Sequence, residues 1–330
     1  MPDLLIIFVV LLSLGFDYIN GFHDTANAIA TSVSTRALTP KVAVVLAAGL
    51  NFAGAMYSTG VAKTIGSDLV KSAQMVNEPI IIAAMIGAIC WNVLTWWLGI
   101  PSSSSHALVG GVVGAVFVSR GVEALKIEGI LGIVASLIVS PLIAMVTGFV
   151  IMTLLFLIFG RMAPSKINSK FKRLQILSAA MMAFSHGSND AQKAMGIITL
   201  TLVSSGYLTS LEVPIWVKMA AAISMGMGTA AGGWRIIRTM GSKIFKLEPI
   251  SGFAADLNSS LVIFGATLLR MPVSTTHVVS GSIMGVGTAK RVRAVRWGVA
   301  QQMLIAWIFT IPSTALVSGT VYKIIAMLFL

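Results

Sequence analysis

Residues 21–28, GFHDTANA, return 166 positions later as GSNDAQKA. They open a series. VAKTIGSDLV (61–70) returns as IIRTMGSKIF (236–245), EPI at 78 returns at 248, and PSSSSHALVGG (101–111) is answered by PVSTTHVVSGS (272–282). Pro141 and Gly148 are answered by Pro312 and Gly319. The offset stays between 166 and 175 throughout, so the chain is one pattern written twice. Any fold it adopts has to hold two similar halves.

Composition decides the solvent. Apolar residues make up 56% of the chain and charged residues 10%, against about a quarter charged in a soluble domain. The class expected is an all-α polytopic membrane protein. The net charge of +12 does not point to nucleic acid, because the positives form no single patch. The one cysteine, Cys90, lies in an apolar run and is expected to be a buried structural thiol rather than part of a disulfide framework. Residues 1–20 lack a basic leader and run straight into the first motif, so they read as a first span that is retained.

Charge and repeat together suggest topology. Basic clusters fall at Arg161, Lys166, Lys170, Lys172 and Arg173, at Arg235, Arg238, Lys243 and Lys246, and at Lys290, Arg291, Arg293 and Arg296. Other loops hold Asp68, Glu78, Glu123, Glu128 and Glu212. Cytoplasmic loops are the Lys/Arg-rich ones. The loop near 63–78 is poor in net positive charge while its copy at 235–248 is basic; the loop at 120–128 is neutral while its copy at 290–296 carries four positives. Corresponding loops therefore belong on opposite sides, which is an inverted-topology repeat of the kind secondary transporters use. The expected division is 1–160 as first repeat, 161–173 as basic cytoplasmic linker and 174–330 as second repeat, with both termini outside. Each repeat is expected to have a broken first helix, interrupted by the polar motif, and a re-entrant helical hairpin whose tip holds Pro101 or Pro272. SSSSH and VSTTH are too polar to face lipid, and irregular backbone at that depth must be enclosed by protein or water.

Each tip offers free backbone N–H groups at a helix start together with three hydroxyls, Ser103, Ser104 and Ser105 or Ser274, Thr275 and Thr276. A helix N-terminus attracts anions, and a cap alone needs only one hydroxyl. Asp24 and Asp190 would repel an anion unless cations sit between, and hard cations take carboxylate, carbonyl and hydroxyl oxygens. A carboxyl within a span is a functional candidate because burying it alone is costly. Asn27, Asn189 and Gln192 lie beside these aspartates, and Lys193 follows Asp190 by one turn. The pattern is that of a cation-coupled anion carrier. Structural capping and interhelical packing are the competing readings of the same polar residues.

GFHDTANA, HGSNDAQKAMG, PSSSSH and PVSTTH resemble the paired signatures of the inorganic phosphate transporter (PiT) family, in order and over nearly the whole chain. The short 161–173 segment resembles prokaryotic members, implying a bacterial or archaeal inner (plasma) membrane. The resemblance implies symport of inorganic phosphate with Na⁺ or H⁺ and a homodimer, with no cofactor and no enzymatic activity. The family's aspartates fall on Asp24 and Asp190, and its hairpin residues on Ser103, Ser105, His106, Ser274, Thr276 and His277. An intramembrane glutamate of animal relatives falls on Asp256, whose first-half counterpart is Asn51. His23 stands where the family commonly has Asn, and Lys193 stands opposite Asn27, so the twofold chemistry is incomplete.

Phosphate is then expected at Asp24, Asn27, Ser104, Ser105, Asp190, Gln192, Lys193, Thr275 and Thr276. Na⁺ is expected at Asp24, Asn27, Ser103, Asn189, Asp190, Ser274 and Asp256. A sulfate or metal–phosphate carrier of the same fold and an anion channel are the alternatives. An intramembrane hydrolase using a Ser with His106 or His277 fits two near-identical tips less well than a binding site does. The roles of His23, Asp17, His106 and His277 stay open.

Overall fold

The computed structural model describes residues 2–329, and among them every regular element is helical. The first half runs α1 (Pro2–Ser34), α2 (Pro40–Ala55), α3 (Gly60–Asp68), α4 (Glu78–Leu98), α5 (Ser104–Arg120) and α6 (Ile127–Phe159). The second runs α7 (Pro164–Ser204), α8 (Ile215–Ala231), α9 (Trp234–Arg238), α10 (Pro249–Leu268), α11 (Thr275–Lys290) and α12 (Trp297–Phe329), with a π-helical turn at Thr239–Lys243 after α9. The two series correspond helix by helix. Four helices (Leu4–Ser34 of α1, α4, α6 and α12) are long and apolar enough to cross a membrane, and α2 with α3 would form a fifth span bent by 67°.

Three sequence expectations change. Neither α1 nor α7 is broken: they run unbroken for 33 and 41 residues through their motifs. The motif side chains find partners on other helices, so the backbone keeps its i→i−4 ladder and has no reason to unwind. The breaks fall instead between α2 and α3, and at Gly232–Gly233 between α8 and α9, where Gly232 takes φ +75°. Residues 164–173 belong to α7, leaving only Gly160–Ala163 between the long helices of the two halves. Cys90 is exposed rather than buried, because it lies on the outward side of α4, where a lipid-facing helix is as apolar as its core side.

The hairpins have local causes. Gly99 ends α4 in the left-handed conformation (φ 68°) and its N–H bonds back to Thr95 and Trp96 carbonyls, a glycine C-cap. Pro101 follows, and Ser103 then caps α5 by accepting from the His106 N–H. In the second hairpin Ser274 caps α11 through His277 in the same way. There Arg270, the counterpart of Gly99, takes the left-handed conformation (φ 60°) with a side chain that makes it unfavourable.

The halves clasp each other. α5 packs on α12 and α11 on α6; α2 packs on α7 and α8 on α1. Glycines permit these approaches. A Cβ on Gly114 would lie 2.2 Å from the Ala315 carbonyl oxygen, and one on Gly285 would lie 2.0 Å from that of Met145. Behind the motifs, Gly21 and Gly228 meet on the α1–α8 seam while Gly54 and Gly187 serve the α2–α7 seam.

Candidate functional site

The two hairpin tips meet at the motif segments of α1 and α7. The Asp24 carboxylate is 2% exposed and accepts from Ser104 Oγ at 3.1 Å and Thr276 Oγ1 at 3.1 Å, one hydroxyl from each tip. His23 Nδ1 lies 2.7 Å from Asp24 Oδ1. Asp190, fully buried, accepts from Lys193 Nζ at 2.6 Å and Thr275 Oγ1 at 3.0 Å, with His186 Nε2 at 3.4 Å. Asn27 Nδ2 donates to Thr276 at 3.0 Å and approaches Thr275 at 3.3 Å. Ser104 and Thr275 occupy the same position in the two tips, and each serves the aspartate of its own half. This pair keeps the twofold pattern; Thr276 on Asp24, His23 and Lys193 have no matching contact in the other half.

Asp24, His186 and Asp190 each offer an atom within 4.8 Å of the others. Two carboxylates at that separation repel by on the order of 3 kcal/mol at an effective dielectric constant of about 20. Asn27 Oδ1, beside them, is buried without a hydrogen-bond partner. An orphaned acceptor next to paired carboxylates is what a hard cation would complete. The donor set fits Na⁺.

Other expected residues are engaged differently. Ser103 and Ser274 act as helix caps, and Ser103 Oγ also lies 2.8 Å from His106 Nδ1. Ser105 donates to the Val273 carbonyl at 2.9 Å and so ties one tip to the other. Asn189 Nδ2 donates to Thr267 at 3.0 Å and Gln192 Oε1 accepts from the Ala62 N–H at 3.1 Å, both away from the aspartates. Asp256 accepts from Thr31 at 2.5 Å. The rings of His106 and His277 lie 4.6 Å apart and His277 stacks at 3.7 Å on Trp307, whose indole donates to the Pro101 carbonyl. These histidines brace the tips. His186 is not among the sequence candidates, although its place one helical turn before Asp190 is a signal for it. Asn51 Oδ1 holds its other nitrogen at 3.1 Å.

The phosphate transporter family model matches residues 20–318, a stretch that includes both motifs and both tips. The chain belongs to the phosphate transporter family. Among curated members of the family, a probable low-affinity inorganic phosphate transporter of Bacillus subtilis (strain 168) is 51% identical, over 99% of this chain and 98% of its own length. A probable low-affinity inorganic phosphate transporter of Rhizobium meliloti (strain 1021) is 45% identical over 96% of both chains. A solved structure described as the sodium-dependent phosphate transporter superposes with a TM-score of 0.91 at 26% identity, covering 98% of this chain and all of the other. Proteins of this family are transporters, so the Ser–His pairs at the tips are not read as a hydrolase.

Lys193 tests how the family site is balanced here. It is the largest buried cation of the cluster, and among the described residues it forms its ion pair with Asp190, at 2.6 Å. Replacing it with methionine leaves a buried carboxylate uncompensated, a loss of roughly 3–5 kcal/mol. Lys193→Met is expected to melt well below the wild type in detergent, and added Na⁺ should restore part of the difference. Equal melting temperatures without Na⁺ would show that Asp190 does not depend on the lysine.

Proposed function

We propose that this protein is a secondary symporter that takes up inorganic phosphate together with Na⁺, through alternating exposure of the Asp24–Asp190 centre. The observation that carries the reading is the convergence of Ser104, Thr275 and Thr276, from both tips, on two buried aspartates. Those hydroxyls now donate to carboxylates. A cation bound between Asp24 and Asp190 would take over as counter-charge and release the same hydroxyls to an anion. Cations therefore bind first, and phosphate follows between the tips, where the start of α5, the start of α11 and Lys193 supply further donors and positive potential.

The choice of phosphate over sulfate rests on protons. Phosphate keeps at least one O–H at neutral pH and can donate it to Asp24 or Asp190, whereas sulfate only accepts. A depression of about 450 Å³ lined by Lys63, Lys218 and Arg270 reaches Thr267, which bonds Asn189, and gives an anion a positive approach. By contrast, a 730 Å³ cavity beside His106, His277 and Trp307 is lined mainly by apolar side chains and suits no anion.

We read the halves, 1–160 and 174–330, as repeats inserted in opposite directions, with re-entrant hairpins, both termini outside and the basic 161–173 segment in the cytoplasm of a prokaryotic cell. The reciprocal clasp of α5 on α12 and α11 on α6 supports that reading. So does the enclosure of the polar tips by protein, with Ser102–Ser105 and Ser274–Thr276 all buried. A homodimer follows from the family resemblance alone.

Radiolabelled phosphate uptake into proteoliposomes tests the coupling, with an imposed Na⁺ gradient set against a proton gradient. Uptake that follows Na⁺ is expected. Uptake that follows protons alone would make the aspartates proton carriers, and sulfate uptake without phosphate uptake would overturn the substrate.

A further inference from the structure

A second polar group lies on α1, below the motif and outside the repeat. Ser13, Asp17 and Asn20 recur at helical spacing and share one face. All are fully buried, and none of their side-chain nitrogen or oxygen atoms has a hydrogen-bond partner. Asn92 on α4 is likewise fully buried, with both amide atoms unpartnered. Their second-half counterparts are Ala179, Ala183 and His186, so this arrangement occurs once.

Contacts on either side set the register. His23 meets Thr95 at 3.2 Å and the rings of Phe22 and Trp96 are 5.2 Å apart, joining α1 to α4. Ser205 after α7 donates to Glu78 at the start of α4, while Asp190, a helix length earlier, lies beside Asp24. Hence α7 runs opposite to α4. Thr35, just past the end of α1, donates to Gln175 near the start of α7 at 2.7 Å, while Asp24 lies beside Asp190, so α7 runs opposite to α1 as well. α1 and α4 therefore run the same way. Asn20 precedes His23 by three residues, and Asn92 precedes Thr95 by three. Both thus sit one turn before the same contact, on the faces that make it.

Burying one carboxyl and two amides without partners costs several kcal/mol. The amides could donate to Asp17 and do not; what the group presents instead is oxygen, two atoms from Asp17 and one each from Asn20, Asn92 and Ser13. Five oxygens from two helices suit a hard cation's shell. We propose that Asp17, Asn20 and Asn92, with Ser13, form a separate Na⁺ site one to two turns along α1 from Asp24, adjacent to the phosphate centre and absent from the second half. The choice of Na⁺ rests on the symport reading above; the site itself rests on its unpartnered oxygens.

The test is equilibrium binding of ²²Na⁺ to the purified protein, with ³²P-phosphate binding measured on the same samples. Asp17→Asn is expected to bind one Na⁺ fewer per chain than wild type, and Asn92→Ala to bind the same ion about tenfold more weakly. Asp24→Asn should keep the ion that Asp17→Asn loses. Wild-type Na⁺ stoichiometry in Asp17→Asn, with Asn92→Ala also unchanged, would overturn the site and leave the orphaned atoms to water. An absence of Na⁺ binding to wild type would overturn it too. Phosphate binding separates the two proposals: its loss in Asp24→Asn supports the symport centre whichever way Asp17→Asn behaves.

Discussion

Asp24→Asn and Asp190→Asn are each expected to cut Na⁺-driven phosphate uptake by about 100-fold or more, while the protein elutes and melts as a folded species. Asparagine keeps the shape and one acceptor oxygen; at position 24 one of Ser104 and Thr276 keeps its bond and the other hydroxyl turns to accept from the new amide N–H, so the tips stay closed. What disappears is the charge that draws a cation between the helices. A loss of about 3 kcal/mol in cation binding alone corresponds to roughly two orders of magnitude in affinity. Removing Asp190 should weaken Lys193 as well, because its ammonium would be left buried beside a neutral amide. Near-normal uptake by both variants in reconstituted vesicles would sink the site assignment.

Gly187→Ala is expected to be among the most damaging single substitutions in the molecule, although it adds one methyl group. That methyl would stand 2.1 Å from the Asn51 carbonyl oxygen, which is backbone and cannot swing aside. Gly54→Ala meets the Phe184 carbonyl at the same 2.1 Å across the same seam. Relief requires α2 and α7 to separate, which pulls Asn51 from His186 and disturbs Asp190 one turn on. The cost should exceed the ~1–3 kcal/mol of ordinary overpacking. Gly49, five residues before Gly54 on the same helix, has nothing within 4 Å of its Cβ position. Gly49→Ala should be neutral or stabilising by up to about 1 kcal/mol, the helix-propensity gain. Melting curves and the monodisperse yield in detergent compare the three; equal behaviour would show that the seam is not tight.

Much of this arrangement is legible in the sequence. The repeated prolines and the Ser/Thr clusters bracket the hairpins well: 79–98 and 101–119 were expected, against α4 at Glu78–Leu98 and α5 at Ser104–Arg120. Asp24, Asn27, Asp190, Ser104, Thr275 and Thr276 come together as their matched spacing suggested. Elsewhere local reasoning misled. Polar residues inside an apolar helix looked like a break, but their partners lie as far as 252 residues away, as for Asp24 and Thr276. Asn189 and Gln192 flank Asp190 in sequence yet point elsewhere, because each residue turns the helix by about 100°. Cys90 shows a further limit: hydropathy does not separate a core face from a lipid face.

The reciprocal clasp has a consequence for biosynthesis. When the first 160 residues have been made, the Gly110–Gly114 groove of α5 has no α12 to fill it, and α2 has no α7 to lie against. The nascent first half thus waits in the bilayer with exposed helix grooves and an Asp24 that still lacks Thr276. Its contacts on α5 form only when α12 of the second half arrives. Maturation of the ion centre therefore waits for the second half, and quality control has a window in which to inspect an incomplete carrier.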